Sequence, residues 1–175
     1  MSEFPDIVKW PDEVLLNQTK KIKNVSSKIE DLSTLMVDML KPAAGVGLAA
    51  NQIGQPLQLI VADLSAAYED RDDEPVVLIN PEIVHFEGKE VMEEGCLSLP
   101  GYNADVPRAF YVVVKAFDIN EKPVELEEEG YAARVLQHEI DHLNGKLFPD
   151  RLSRLKKNLL YQKVKKAIKN GTFGE

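Results

Sequence analysis

Leu136-Gln137-His138-Glu139-Ile140-Asp141-His142-Leu143-Asn144-Gly145 sets two histidines four residues apart, with a glutamate directly after the first. On a helix, residues at that spacing share a face, so His138 and His142 can offer two imidazoles to one ion. Glu139 is rotated from His138 by about 100°. That offset sets its carboxylate beside the ion, within reach of a water there, without making it a ligand. Val135, Leu136, Ile140 and Leu143 give the segment further apolar faces, so the helix is expected to be buried nearly all round. Imidazoles and carboxylates buried with it need partners, and a metal supplies one. The helix is read as Tyr131 to Leu143, stopped by the pair Asn144-Gly145.

Two more helices and several strands surround it. Lys28 to Leu40 carries an apolar stripe of Ile29, Leu32, Leu35, Met36 and Met39, with Ser26 or Ser27 as N-cap and Pro42 as the stop. Ser153 to Lys169 reads as a third helix, and the closing NGTFGE as a frayed end. Strands are expected at Leu57 to Ala62, Val76 to Ile79, Ile83 to Phe86 and Phe110 to Phe117. SAAYEDRDDE, between Leu64 and Pro75, is too acidic to pack and reads as a solvated loop without function. There is no internal repeat and no long linker.

Bulk composition bounds the class. A chain of 175 residues, 44% hydrophobic and 29% charged, suits one soluble globular domain. No apolar run approaches the roughly 20 residues that span a bilayer, and the opening MSEFPDIVKWPDEVLL resembles neither a signal nor a transit peptide, so the cytoplasm is expected. Cys96 is the single cysteine, which excludes an intrachain disulfide. The net charge of −8 divides unevenly: residues 151–175 hold eight Lys/Arg and one acid. An acidic body is a poor nucleic-acid clamp, although a local basic helix can still approach phosphate.

Gly45-Val46-Gly47-Leu48-Ala49-Ala50-Asn51-Gln52-Ile53-Gly54 begins with the glycine spelling of dinucleotide loops, yet its context contradicts that reading. Such a loop needs a strand before it and a helix after it. Here a helix and a proline precede, and an apparent strand follows.

A catalytic tetrahedral metal site takes three protein ligands and leaves a fourth position open. His85, in the apparent strand IVHF, reads as packed or surface-exposed. Cys96, in Glu94-Gly95-Cys96-Leu97-Ser98-Leu99-Pro100, lies between a glycine and a turn-forming stretch, where a thiolate can point inward from a loop. It is the better third ligand. Two other readings compete. A zinc endopeptidase shares the H-E-x-x-H spacing but would need a downstream ligand such as Asp150. A noncatalytic module would close all four positions with protein ligands, whereas three are evident.

Three segments together resemble the peptide deformylase family: G-x-G-L-A-A-x-Q at Gly45 to Gln52, E-G-C-L-S at Glu94 to Ser98, and Q-H-E-x-D-H-L-x-G at Gln137 to Gly145. Ile7 to Leu15 is similar to the family's opening segment, and the basic last helix resembles the bacterial form with a helical C-terminus. The resemblance implies one domain across 1–175, with residues 151–175 forming its basic C-terminal helix. The implied fold is α+β, with small antiparallel or mixed sheets around a central metal-binding helix. It implies removal of the formyl group from the N-terminal formylmethionine of new polypeptides, releasing formate. Fe2+ is the implied physiological metal, with Ni2+, Co2+ or Zn2+ able to use the same ligands, Cys96, His138 and His142. Glu139 is then the acid/base residue, while the Gln52 side chain and the Leu97 backbone N–H face the formyl oxygen. Gly45 and Gly47 leave room for a substrate backbone, and Val46 and Leu48 can line an apolar wall that Tyr131 and Val135 join. Glu94, Asp141 and Arg108 can orient the site. Gly101-Tyr102-Asn103-Ala104-Asp105 lacks an arginine that some members carry there. A monomer is expected, acting in the bacterial cytoplasm on formylmethionyl nascent peptides, with the basic helix touching the ribosome.

Overall fold

The apolar run Leu59–Ala62 has no polar face, and the computed structural model, which describes residues 4–43, 45–68, 70 and 72–174, shows why. The strand it forms, β2, is buried on both sides. Ile60 and Ala62 join one apolar cluster with Leu136 and Ile140, and Leu59 and Val61 join another with Met36, Met39 and Leu40. Side chains alternate across a strand, so a run sandwiched between two helices must be apolar at every position.

The helices are α1 (Glu13–Leu16), α2 (Ser27–Ala43), α3 (Gly130–Leu143) and α4 (Arg154–Asn170). The strands are β1 (Gly47–Ala49), β2, β3 (Val76–Glu87), β4 (Glu90–Gly95), β5 (Asn103–Arg108), β6 (Tyr111–Phe117) and β7 (Pro123–Glu129). Five strands form an antiparallel sheet in the order β1-β2-β3-β6-β7, and β4 pairs with β5 in a separate antiparallel ribbon. The class is the α+β one expected, with the paired-histidine helix packed on one face of the sheet.

Several boundaries differ from expectation. Pro42 does not stop α2, which runs to Ala43; the proline sits in the last turn. The two strands expected at 76–79 and 83–86 are one. At their junction Asn80 takes φ 51°, and the pairing with β6 shifts register there. Pro81 cannot donate to a ladder, and asparagine tolerates the left-handed region, so the strand bends without ending. The Asn80 side chain then bonds both backbone groups of Ile22, at 2.9 and 2.8 Å. The expected start at Leu57 moves to Leu59, because Leu57 bridges Lys20 instead. The pair Asn144-Gly145 stops α3 as expected. Gly145 adopts φ 68°, and a Cβ there would stand 2.6 Å from the Leu16 carbonyl oxygen.

The closing segment, expected to fray, is held through Phe173. Gly171 caps α4, the Thr172 N–H bonds the Ala167 carbonyl at 3.0 Å, and the Phe173 ring lies 6.3 Å from that of Tyr102. An aromatic two residues from the chain end can dock on the cluster built by Leu99, Val106 and Phe148. The apolar side chains of α4 are divided. Leu160 and Val164 are buried and Tyr161 stacks on Trp10 at 4.9 Å, while Leu155 is 70% and Leu159 50% exposed. No helix among the described residues is long and apolar enough to cross a membrane.

Candidate metal centre

α3 presents His138 and His142 one turn apart, with their Nε2 atoms 3.2 Å from each other. The turn that follows β4 brings Cys96 Sγ to 3.3 Å from His142 Nε2. The three ligand atoms lie within 4.8 Å of one another. Bonds of about 2.0–2.3 Å in a tetrahedral set hold ligand atoms about 3.3–3.7 Å apart, so one ion can be shared by all three. A thiolate with two imidazoles suits the borderline-soft divalent metals. His85 is elsewhere, on an exposed part of β3, bonded to Glu87 at 2.6 Å. Asp150, which an endopeptidase reading would need, is engaged by the Leu147 N–H at 2.9 Å and by Lys157 at 2.6 Å.

Neighbours aim these ligands. Glu94 Oε1 lies 2.5 Å from His138 Nδ1, which leaves Nε2 for an ion. His142 Nδ1 is buried without a hydrogen-bond partner among the described residues. Burial opposes ionisation of the Cys96 thiol, but the charge of His142 and bonding to His138 prevail and hold it well below the usual thiol range. His138 is likewise discouraged from charging by burial, yet Cys96 and Glu94 raise its basicity. The pocket therefore favours a thiolate with a positive charge beside it, the electrostatic arrangement that a bound cation satisfies.

Gln52 sits in a short 3-10 turn, Ala50–Ile53, behind β1. Its Oε1 accepts from the Ala49 N–H at 2.9 Å, which orients the amide so that Nε2 reaches Ser98 Oγ at 3.2 Å and Cys96 Sγ at 3.6 Å. Next to it, Asn51 donates to the His142 carbonyl at 2.6 Å, tying this turn to α3. The Glu139 carboxylate is buried against β1, and its Oε2 has no hydrogen-bond partner among the described residues. Burial raises the Glu139 pKa, overcoming the lowering effect of His138 and His142. A Cβ at Gly47 would lie 2.5 Å from Glu139 Oε1. This glycine therefore makes room for the carboxylate itself.

The three supporting residues expected from the sequence do meet. Arg108 donates to Glu94 through Nε at 2.8 Å and Nη2 at 2.6 Å, and to Asp141 through Nη1 at 2.8 Å. Burial would push the Glu94 and Asp141 carboxyls up, but Arg108 and His138 around the first, and Arg151 and Arg108 around the second, hold both below the usual range. Sequence reading missed Arg134, which bonds Glu94 at 2.9 Å and the carbonyls of Val106 and Glu90 at 2.9 and 3.0 Å. Its position four residues before His138 was the available signal, since that spacing puts the two on one helix face.

These groups open onto a cavity of about 520 Å³. Gly45, Val46, Gly47, Tyr131 and Val135 line it, together with Gln52, Leu97 and Glu139. Leu48 does not. It is 1% exposed and packs toward α2, because strand alternation turns it away from its neighbours.

Comparison with known proteins agrees with this geometry. The polypeptide deformylase family model matches residues 4–158. A peptide deformylase of Mesorhizobium japonicum is 45% identical over 166 residues, covering 94% of this chain and 93% of the relative. The crystal structure of a peptide deformylase from Legionella pneumophila is similar with a TM-score of 0.84 and 42% identity, covering 96% and 97% of the two chains. That of the peptide deformylase from Ehrlichia chaffeensis gives 0.85 and 34%, covering 97% and 99%.

Proposed function

Because the chain belongs to the polypeptide deformylase family, and is an enzyme that removes N-formyl groups from nascent peptides, we propose how its own residues divide that reaction. Cys96, His138 and His142 form the metal site. A divalent cation bound there supplies a Lewis acid that polarises a carbonyl oxygen and makes water easier to deprotonate near neutral pH. Glu139 Oε2, buried and unpartnered among the described residues, takes the proton of the attacking water. The same carboxyl returns it to the amine as the formyl carbon–nitrogen bond breaks, and formate leaves.

The Gln52 Nε2 amide and the Leu97 N–H receive the negative charge that develops on the formyl oxygen. Each such donor is worth roughly 3 kcal/mol in other oxyanion holes. Val46, Tyr131 and Val135 hold the methionine side chain. Gly45, whose added Cβ would have Leu97 Cδ1 as nearest neighbour at 3.8 Å, leaves the substrate backbone a way past. Fe2+ is the physiological ion in this reading, and Ni2+, Co2+ or Zn2+ can take its place. A thiolate beside redox-active iron is open to oxidation. The protein acts as a monomer in the cytoplasm, as one domain across 1–175. Lys157 is paired with Asp150, but Arg154, Lys156, Lys163, Lys165, Lys166 and Lys169 are exposed on α4 and can meet ribosomal RNA.

The observation that carries the residue assignment is the Glu139 carboxylate, buried beside the three ligands with one oxygen unpartnered among the described residues. Glu139→Ala is expected to keep one metal ion per chain and lose nearly all formate release from a formyl-methionyl peptide. Turnover close to that of the unsubstituted enzyme would remove Glu139 from the mechanism.

A further inference from the structure

By sequence Arg151 belongs with the cations of the C-terminal helix, and its side chain stays 42% exposed, but its guanidinium is bound to a buried carboxylate. It ends the 3-10 turn Phe148–Arg151 that leads into α4. Its guanidinium grips Asp141 with both prongs, Nε to Oδ2 at 2.8 Å and Nη2 to Oδ1. Asp141 Oδ2 also accepts from Arg108, at 2.8 Å. Arg108 clamps both oxygens of Glu94, and Glu94 fixes His138 Nδ1 at 2.5 Å. Every link from Arg151 through Asp141, Arg108 and Glu94 to His138 is thus a hydrogen bond between charged or chargeable groups.

The links differ in how replaceable they are. Arg108, Glu94 and Asp141 have side chains 2%, 8% and 7% exposed, so none can exchange its partner for bulk water. Among the described residues Asp141 Oδ1 is bonded to Arg151 alone. Without Arg151 the Asp141 carboxylate keeps only its bond from Arg108, about which it can rotate and slacken its hold. Arg108 would then hold Glu94 less firmly, and Glu94 sets the ring of His138. The partner that directly orients a metal ligand, here Glu94, is worth about 10–100-fold in metal affinity in other sites, and a residue further along the chain of bonds passes on part of that effect.

We infer that Arg151 is a positioning residue for the metal ligand His138, acting through Asp141, Arg108 and Glu94. This rests on the reading of Cys96, His138 and His142 as the metal site. The segment before α4 is then part of the machinery of the centre, in addition to its link to the basic helix.

Arg151 and Arg108 line a second cavity of about 410 Å³, which shares no lining residue with the catalytic cleft. A small cation can therefore reach the space that a truncated Arg151 would leave. This permits a rescue experiment. Metal-free protein is titrated with Ni2+ against a chromophoric chelator, and the absorption spectrum of the Co2+ form is recorded. Arg151→Ala is expected to weaken Ni2+ binding severalfold, up to about tenfold, and to shift the Co2+ spectrum. Guanidinium ion at a concentration below that which unfolds the protein should restore both, and tetramethylammonium at equal ionic strength should not. Arg151→Lys, which keeps the charge but not the fork, should fall between. Lys28→Ala, exposed on α2, should behave as the unsubstituted protein.

Unchanged affinity and spectrum in Arg151→Ala would overturn the inference. So would an affinity loss that guanidinium leaves unrepaired while the metal-free variant melts earlier, since that pattern assigns Arg151 to fold stability alone. Failure of the unsubstituted protein to bind Ni2+ would instead contradict the metal site itself.

Discussion

Gly47 is a residue whose purpose the sequence shows only in part. Its place in a glycine-rich stretch that lines a cleft suggests space for a substrate backbone. The structure adds a second demand, because the atom that would occupy the space of a methyl group is Glu139 Oε1, at 2.5 Å. That contact joins two segments far apart in the chain, so no local pattern reveals it. Gly47→Ala should push the Glu139 carboxylate out of place. The expected result is about a 100-fold loss of kcat, the scale of a displaced general base. Metal content and thermal unfolding should change little, since β1 keeps its pairing with β2. A variant as active as the unsubstituted enzyme would show that the carboxylate has other room. His138, Glu139 and His142, by contrast, are legible at once, because helix periodicity alone brings two imidazoles and a carboxylate together. Cys96 needed the requirement for a third ligand, and Arg134 and Arg151 needed coordinates. Arginines at such positions read equally well as surface charge until their carboxylate partners are seen.

Among the elements, the three long helices α2, α3 and α4 were legible to within three residues, because apolar stripes and stop signals are local, whereas the single turn of α1 is too short to show a stripe. The strands were less so. β3 was divided in two at Asn80-Pro81, where a proline reads as a break, although a bend tied down by Asn80 lets the strand continue. β7, Pro-Val-Glu-Leu-Glu-Glu-Glu, was missed because its acids hide the alternation of Val124 and Leu126, which pack against the cluster under α3. β4 and β5 were missed for the same reason, being a two-stranded ribbon with one face exposed. The stop of α3 gives a sharp test at this scale. Gly145→Ala meets both a left-handed backbone, costing about 1–2 kcal/mol, and the Leu16 carbonyl at 2.6 Å. A loss of at least about 2 kcal/mol is expected in urea unfolding of the metal-free protein. A change below about 0.5 kcal/mol would mean that the turn can relax at little cost.

At the scale of the whole molecule, three apolar clusters hold the layers together and one buried ionic network ties α3 to β4, β5 and the approach to α4. Glu94 and Asp141 are held below their unfolded values of about 4, so the unfolded chain binds more protons in acid. The stability they add is complete above that range and is lost as pH falls through it toward their folded-state values. The urea midpoint should therefore decline below about pH 4, and Asp141→Asn, already less stable at neutral pH, should decline less. Equal slopes would contradict a depressed Asp141. Fold class and the metal-ligand motifs were readable without coordinates, and so were three members of the charge network, but its pairings were not, because its members are dispersed from 94 to 151. The proposed reaction depends on one ion at Cys96, His138 and His142. The most direct test is an anaerobic titration of metal-free protein with Fe2+ or Ni2+, following formate release from a formyl-methionyl peptide. Activity should rise from near zero and saturate at one ion per chain. Full activity without added metal, or saturation at two ions, would contradict it.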